Sequence, residues 1–139
     1  MHEANWIKVN KRPYITQLTT NLKDEQKIKF QNVDYRITDA TQVDSTGKFS
    51  VINYYFPGEY KKLKPQLSEE NKDFTIEKII ELQVLDESII RTDKTPIIIS
   101  EQKSESGYNW EGIVKFNNGF LIMTDMFPQT TLAYVMDEQ

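Results

Sequence analysis

The chain has 139 residues, a formal net charge of −4 and no cysteine. Its length suits one domain with a hydrophobic core, and a content of 38% hydrophobic and 12% aromatic residues is typical of a folded, strand-rich protein. The absence of cysteine excludes disulfides and thiolate sites. The scattered basic residues indicate no nucleic-acid partner, because binding to phosphates needs a basic stripe.

No apolar run reaches the ~18 residues of a membrane-spanning helix, so we predict no membrane span. The compartment stays open between cytoplasm and periplasm. The start MHEANW fits a native beginning and also an exported chain whose signal has been removed.

Taken in chain order, residues 5–10 alternate polar and apolar side chains, which predicts a first strand. Residues 14–26 fit both a helix and a strand, and their charged end KDEQ favours the helix. Residues 27–30 and 33–40 alternate again and predict two strands, with Val33, Tyr35 and Ile37 on the buried side. Residues 44–47, DSTG, predict a turn into a strand at 48–56, and therefore a hairpin.

The second half of the chain continues this pattern. Residues 59–73 are polar and predict a loop or one broken helical turn, and residues 101–107 predict an exposed loop. Residues 75–86 fit both a helical stripe and a strand, and their β-branched side chains favour the strand. Residues 89–90, 95–100 and 130–136 predict further strands.

Residues 114–128, VKFNNGFLIMTDMFP, predict a tight hairpin that turns at Asn118 and Gly119, because both residues tolerate positive φ. The resulting cross-strand pairs are Phe116 with Leu121, Val114 with Met123, Gly112 with Asp125 and Trp110 with Phe127. This face is almost wholly apolar, so we predict that it belongs to the core and that Asp125 lies near its rim. The opposite face is mixed and is predicted to be half-covered.

About seven to nine short strands with turn signals between them predict a mainly β fold in one domain, residues 1–139. The expected architecture is an antiparallel meander, barrel-like or sandwich-like, with one or two short helices. The alternative is an α+β fold with a helix packed on one antiparallel sheet. A closed barrel would resemble the lipocalins in layout only, because the lipocalin Gly-X-Trp opening is absent before Trp6.

The sequence offers little material for catalysis. His2 is the only histidine, which excludes Ser-His-Asp triads and histidine metal sites, and the five glycines form no phosphate loop. We therefore predict no cofactor, no metal and no catalytic residues. A hydrolase that uses two of the many carboxylates is kept as a third alternative.

The function expected from these properties is non-enzymatic binding through a protein–protein surface, as in an immunity protein or an adaptor. The predicted contact residues are Tyr55, Tyr60, Phe120, Ile122 and Met126. The alternative is a carrier of a small apolar ligand inside a lipocalin-like barrel. Its predicted lining residues are Phe49, Val51, Val114, Phe116, Leu121 and Met123.

Overall fold

The computed structural model describes residues 4–63, 72–103 and 107–138. Strands predominate among these residues and helices are few, which confirms the prediction of a mainly β fold. The described residues form ten strands, one more than the predicted range: β1 Tyr14–Leu18, β2 Glu25–Phe30, β3 Arg36–Ala40, β4 Lys48–Tyr55, β5 Phe74–Val84, β6 Ser88–Arg91, β7 Ile97–Lys103, β8 Trp110–Phe116, β9 Gly119–Thr124 and β10 Leu132–Met136. A 3-10 turn at Pro57–Glu59 leads into a one-turn helix, α1, at Tyr60–Leu63.

Seven strands form a curled sheet, in which six follow the order β1-β2-β6-β5-β4-β3 and β7 pairs with β5 outside this order. The long strand β5 pairs with β4 along one edge, and its other edge is shared between β7 and β6. The sheet departs from a simple meander here, because β6 also pairs in parallel with β2. All other strand pairs are antiparallel.

The curled sheet wraps its concave side around a first hydrophobic core. β4 and β5 alternate so that Phe49, Val51, Ile80 and Leu82 face this side. The buried members of this core are Ile28, Phe30, Val33, Ile37, Phe49, Val51, Ile80, Leu82 and Ile89. Burial of such apolar side chains is the main term that stabilises a sheet of this size.

A second core lies on the other side of β4 and β5. Here Ile52 and Ile79 meet the second sheet, which has the strand order β10-β9-β8. The buried members of this core are Ile52, Ile79, Trp110, Ile113, Phe120 and Ile122. β4 and β5 are therefore the middle layer of the molecule, buried on both faces.

The predicted first strand at residues 5–10 is wrong. Trp6 starts a turn in which its carbonyl oxygen accepts hydrogen bonds from the backbone N–H groups of Val9 and Asn10. The side-chain amide of Asn32 donates to the carbonyl oxygens of Asn5 and Asn10, at 2.6 and 2.8 Å. These contacts close the segment on itself, so its alternating pattern is not used in a sheet.

The helix favoured for residues 14–26 is also wrong, because this segment forms β1, a turn and the start of β2. Asn21 Oδ1 accepts hydrogen bonds from the Thr19 hydroxyl at 2.6 Å and from the Lys23 backbone N–H at 3.0 Å. Leu22 adopts a positive φ of 57°. Side-chain bonds of this kind stabilise turns at the expense of helix.

Several other predictions for single segments are confirmed, although the strand predicted at residues 33–40 begins only at Arg36. Val33, Tyr35 and Ile37 are buried, and residues 75–86 form most of β5. The turn before β4 is held by Asp44, whose carboxylate accepts from the backbone N–H groups of Thr46 and Lys48. Residues 101–103 extend β7 instead of starting a loop, and the predictions for 64–71 and 104–106 lie outside the described residues. Within the part that the structure describes, no helix is long and apolar enough to cross a membrane.

Candidate functional site

The hairpin of β8 and β9 turns one residue earlier than predicted, at Asn117 and Asn118. Asn117 has a positive φ of 50°, whereas Gly119 already belongs to β9. The observed register pairs Phe116 with Gly119 and Val114 with Leu121, a shift of two residues from the predicted pairs. Gly119 is required by close packing, because a Cβ there would overlap the carbonyl oxygen of Val135 in β10.

The predicted core face of this hairpin is in fact the solvent face. Val114 is 54% and Phe116 50% exposed, whereas Phe120 and Ile122 are 2% and 1% exposed. Within β8 and β9, the prediction grouped the residues into the correct two faces apart from Trp110. It took the exposed face for the buried one. A bulge between Trp110 and Gly112 turns the tryptophan to the buried side. Asp125 is exposed just past the end of β9, as predicted.

The exposed side of the three-stranded sheet, which we call the outer face, is entirely apolar apart from one tyrosine hydroxyl. The cross-strand register arranges it in three rows across β8, β9 and β10. The rows are Gly112, Met123 and Leu132; Val114, Leu121 and Tyr134; Phe116, Gly119 and Met136. Two of the nine positions are glycines, and six of the seven side chains are between 43% and 67% exposed. No charged residue occupies any of the nine positions.

Packed side chains on the buried side of the three-stranded sheet support the outer face. Ala133 and Val135 of β10 pack with Phe120 and Ile122 against the second core. The edge of β8 is held against β3, where the Thr38 hydroxyl donates to the Trp110 carbonyl oxygen at 2.7 Å. The hydroxyl of Tyr134 donates a hydrogen bond to Asn118 Oδ1 at 2.8 Å, and the ring of Tyr134 contacts the ring of Phe116 edge-on. The exposed apolar side chains are thus carried by a well-packed sheet.

The five contact residues predicted from the sequence do not form one surface. Phe120 and Ile122 are buried in the second core, and Tyr55 is fully buried with its hydroxyl donating to the Lys72 carbonyl oxygen at 3.1 Å. Tyr60 is half-buried against Tyr55, and Met126 is 43% exposed. The surface positions assigned to Tyr55, Phe120 and Ile122 are therefore wrong, because their side chains complete the cores.

The six predicted ligand-lining residues do not face one cavity either. Phe49 and Val51 lie in the first core. Val114, Phe116, Leu121 and Met123 lie on the outer face, on the far side of the second core. Sequence reasoning missed the three β10 members of the face, Leu132, Tyr134 and Met136, although their alternation with Ala133 and Val135 was a readable signal.

A second cluster, of charged groups, lies on the concave side of the curled sheet next to the first core. The Lys78 ammonium sits over the Tyr35 ring at 4.7 Å from its centroid. Burial lowers the pKa of Lys78, and the nearby Arg91 lowers it further, while Asp34 and Glu101 act in the opposite direction. Burial also raises the pKa of Asp34. The carboxylates of Asp34 and Glu101 therefore partly offset the repulsion between Lys78 and Arg91.

Tyr35 in this cluster has an unusual backbone. Its φ is 69°, a left-handed conformation that costs a bulky residue free energy. The buried amide of Asn53 holds it in place by donating to the carbonyl oxygens of Asp34 and Arg36, at 2.7 and 2.9 Å. Burial, followed by the charge of Asp34, raises the pKa of the Tyr35 phenol to about 12. The phenol is therefore neutral at physiological pH.

Glu77 is the most deeply buried carboxyl group among the described residues, at 0% exposure. Its Oε1 accepts a hydrogen bond from the Tyr108 backbone N–H at 2.7 Å. Burial raises the pKa of Glu77, and hydrogen bonds from the Tyr108 backbone, the Trp110 side chain and the Asn109 backbone act in the opposite direction. Glu77 thereby anchors the segment that leads into β8, which sets the position of the three-stranded sheet.

The described residues contain no group of three or more side chains that could hold a metal ion. Comparison with protein-family models, with curated proteins and with solved structures found no match to this chain. The outer face is consequently the feature of the molecule on which a functional argument rests.

Proposed function

We propose that this protein is a non-enzymatic binding protein whose contact surface is the outer face of the three-stranded sheet. The observation that carries the proposal is the array of nine positions without a single charge, six of them strongly exposed. Soluble monomers rarely expose contiguous apolar patches of this kind unless the patch is covered in use.

The size of the face supports a macromolecular partner. A half-exposed apolar side chain of this size contributes on the order of 100 Å², so six of them present roughly 600 Å². Covering that area would release about 15 kcal/mol before costs. Association itself costs about 4–15 kcal/mol, so the gain from this face matches or exceeds that cost, and burial of the partner's own apolar surface adds to the gain.

The shape and charge of the face favour a protein over other partners. Small-molecule sites are concave and enclose most of their ligand, whereas this is the open side of a sheet. Surfaces that bind anionic lipid carry Lys or Arg beside their apolar residues, and the nine positions contain neither. Another protein with an apolar patch of its own matches these features, which is the chemistry of an adaptor or an immunity-type protein.

Photo-cross-linking from the face tests the proposal. A photoreactive phenylalanine analogue is placed at Val114 on the outer face, and at exposed Asp86 in the turn between β5 and β6 as the matched control. We expect a discrete adduct with another protein from Val114 in lysate of the producing cells, and none from Asp86.

A second variant makes the result specific. Leu132→Lys places a charge on a side chain that is 67% exposed, so the protein still folds while the face loses its apolar character. The adduct from Val114 should then disappear. Equal labelling from both positions, or an adduct that survives Leu132→Lys, would overturn the proposed function.

A further inference from the structure

We propose that two copies of this chain pair through the free edge of β10, and that the pair joins two outer faces into one six-stranded platform. This inference concerns the edge of the sheet and goes beyond the proposed function, which concerns its face.

The backbone of β10 uses only half of its hydrogen-bonding groups. The N–H of Thr124 donates to the Thr131 carbonyl oxygen at 3.0 Å, and the N–H of Asp137 donates to the Asn118 carbonyl oxygen at 2.9 Å. In an antiparallel pair such bonds recur at every second residue, so residues 131, 133, 135 and 137 face β9. Leu132, Tyr134 and Met136 direct their N–H and C=O groups away from it.

Within residues 4–63, 72–103 and 107–138, no strand lies beside this edge. Among the described strands, only β9 pairs with β10, whereas the opposite edge of the same sheet is held by Thr38 and Asp39 of β3. Proteins shield free edges with lysine, proline or bulges. The strand LAYVM contains none of these, and its register with β9 is regular.

A second copy fits the edge because the strand is self-complementary. A two-fold axis opposite Tyr134 places each Leu132 opposite Met136 of the second copy, and the three outward residues of each strand form six backbone hydrogen bonds. The same axis places Asp137 opposite Thr131, so no like charges meet. Asp137 is in addition neutralised within its own chain by Lys94 at 2.6 Å.

The pairing leaves both outer faces uncovered and continuous. Leu132, Tyr134 and Met136 already lie on the face, so two copies double the apolar surface without a break. Because an edge contact between strands of five residues buries less than a standard interface, we expect a dissociation constant on the order of tens of micromolar.

Sedimentation of the full chain at concentrations from about 5 to about 500 μM, on either side of that value, tests the dimer. The informative pair of variants is Met136→Pro and Met136→Ala. Proline removes an N–H that points away from β9, so it spares the ladder within the chain, and alanine removes the same side chain but keeps the N–H. We expect proline to raise the dissociation constant by about tenfold or more and alanine to change it little.

Hydrogen exchange on the unaltered protein provides a readout that does not depend on how a variant folds. The amides of Leu132, Tyr134 and Met136 should become protected as concentration rises, whereas those of Ala133 and Val135 should be protected throughout. A monomer at every concentration, a dimer equally sensitive to both substitutions, or concentration-independent exchange at the three outward amides would overturn the pairing. None of these outcomes bears on cross-linking from Val114, which tests the face alone.

Discussion

Two neighbouring residues of β9 provide a sharp test of which side of the hairpin is core. Ile122 is 1% exposed and packs in the second core, whereas Met123 is 47% exposed on the outer face. Ile122→Ala removes three buried carbon groups, worth about 2.4 kcal/mol in transfer free energy. The cavity left behind adds about 1–1.5 kcal/mol, for a total loss near 4 kcal/mol in the free energy of unfolding.

Met123→Ala removes a side chain that is half in water, so it should cost about 1 kcal/mol or less. Urea unfolding followed by the fluorescence of the buried Trp6 and Trp110 measures both losses. For a chain of this length, 1 kcal/mol corresponds to roughly 3 °C in melting temperature, so the two variants should differ by about 10 °C. Equal losses, or a larger loss for Met123→Ala, would refute the assignment of the two faces.

Three further substitutions test the contacts that position the sheets. Asn53→Ala leaves the part-buried carbonyl oxygens of Asp34 and Arg36 without their donor and should lower the free energy of unfolding by about 3 kcal/mol in urea titration. A loss below about 1 kcal/mol would contradict the role of Asn53 in holding the backbone of Tyr35. Gly119→Ala should lower the free energy of unfolding by about 2–3 kcal/mol in thermal unfolding. Its control is Gly112→Ala, where the atom nearest to the added Cβ lies at 3.5 Å and almost no loss is expected. Equal effects would argue against close packing of β10 on Gly119. The folded-state pKa of Glu77 is raised, so its contribution to stability is present below its unfolded pKa and is lost as pH rises through the folded pKa. Glu77→Gln should therefore gain stability relative to the unaltered protein as pH rises from the unfolded-state pKa of Glu77 through its folded-state pKa, by about 1.4 kcal/mol for each unit of the raised pKa, and a difference independent of pH would contradict the buried carboxyl.

Strands with one polar and one apolar side could be predicted from the sequence, because their side chains alternate in polarity. In β3 the buried Ile37 lies between partly exposed Arg36 and Thr38, so alternation alone identified the core side. β5 was predicted as a strand because β-branched residues outweigh a helical stripe there. Residues 14–26 failed because hydrogen bonds from Thr19 and Asn21, which are specific to the turn, decide the local conformation.

The orientation of the β8–β9 hairpin could not be predicted from composition, because both of its faces carry large apolar side chains. The choice is made at long range by Ile52 and Ile79, which complete a core only with Ile113, Phe120 and Ile122. The bulge beside Trp110 places that residue on the face opposite to Val114 and Phe116, and the alternation pattern does not reveal it. The burial predicted for Trp110 is nevertheless correct. The rule that the more apolar face is the core therefore failed where the apolar face is the exposed one.

Side-chain footprinting with hydroxyl radicals most directly tests the claim that the outer face is bare in the free protein and covered in its complex. We predict rapid modification of Met123, Tyr134 and Met136 in the isolated chain, and loss of that modification once a cross-linking partner is bound. Slow modification of these three side chains in the isolated protein, with Phe120 or Ile122 modified in their place, would contradict the account.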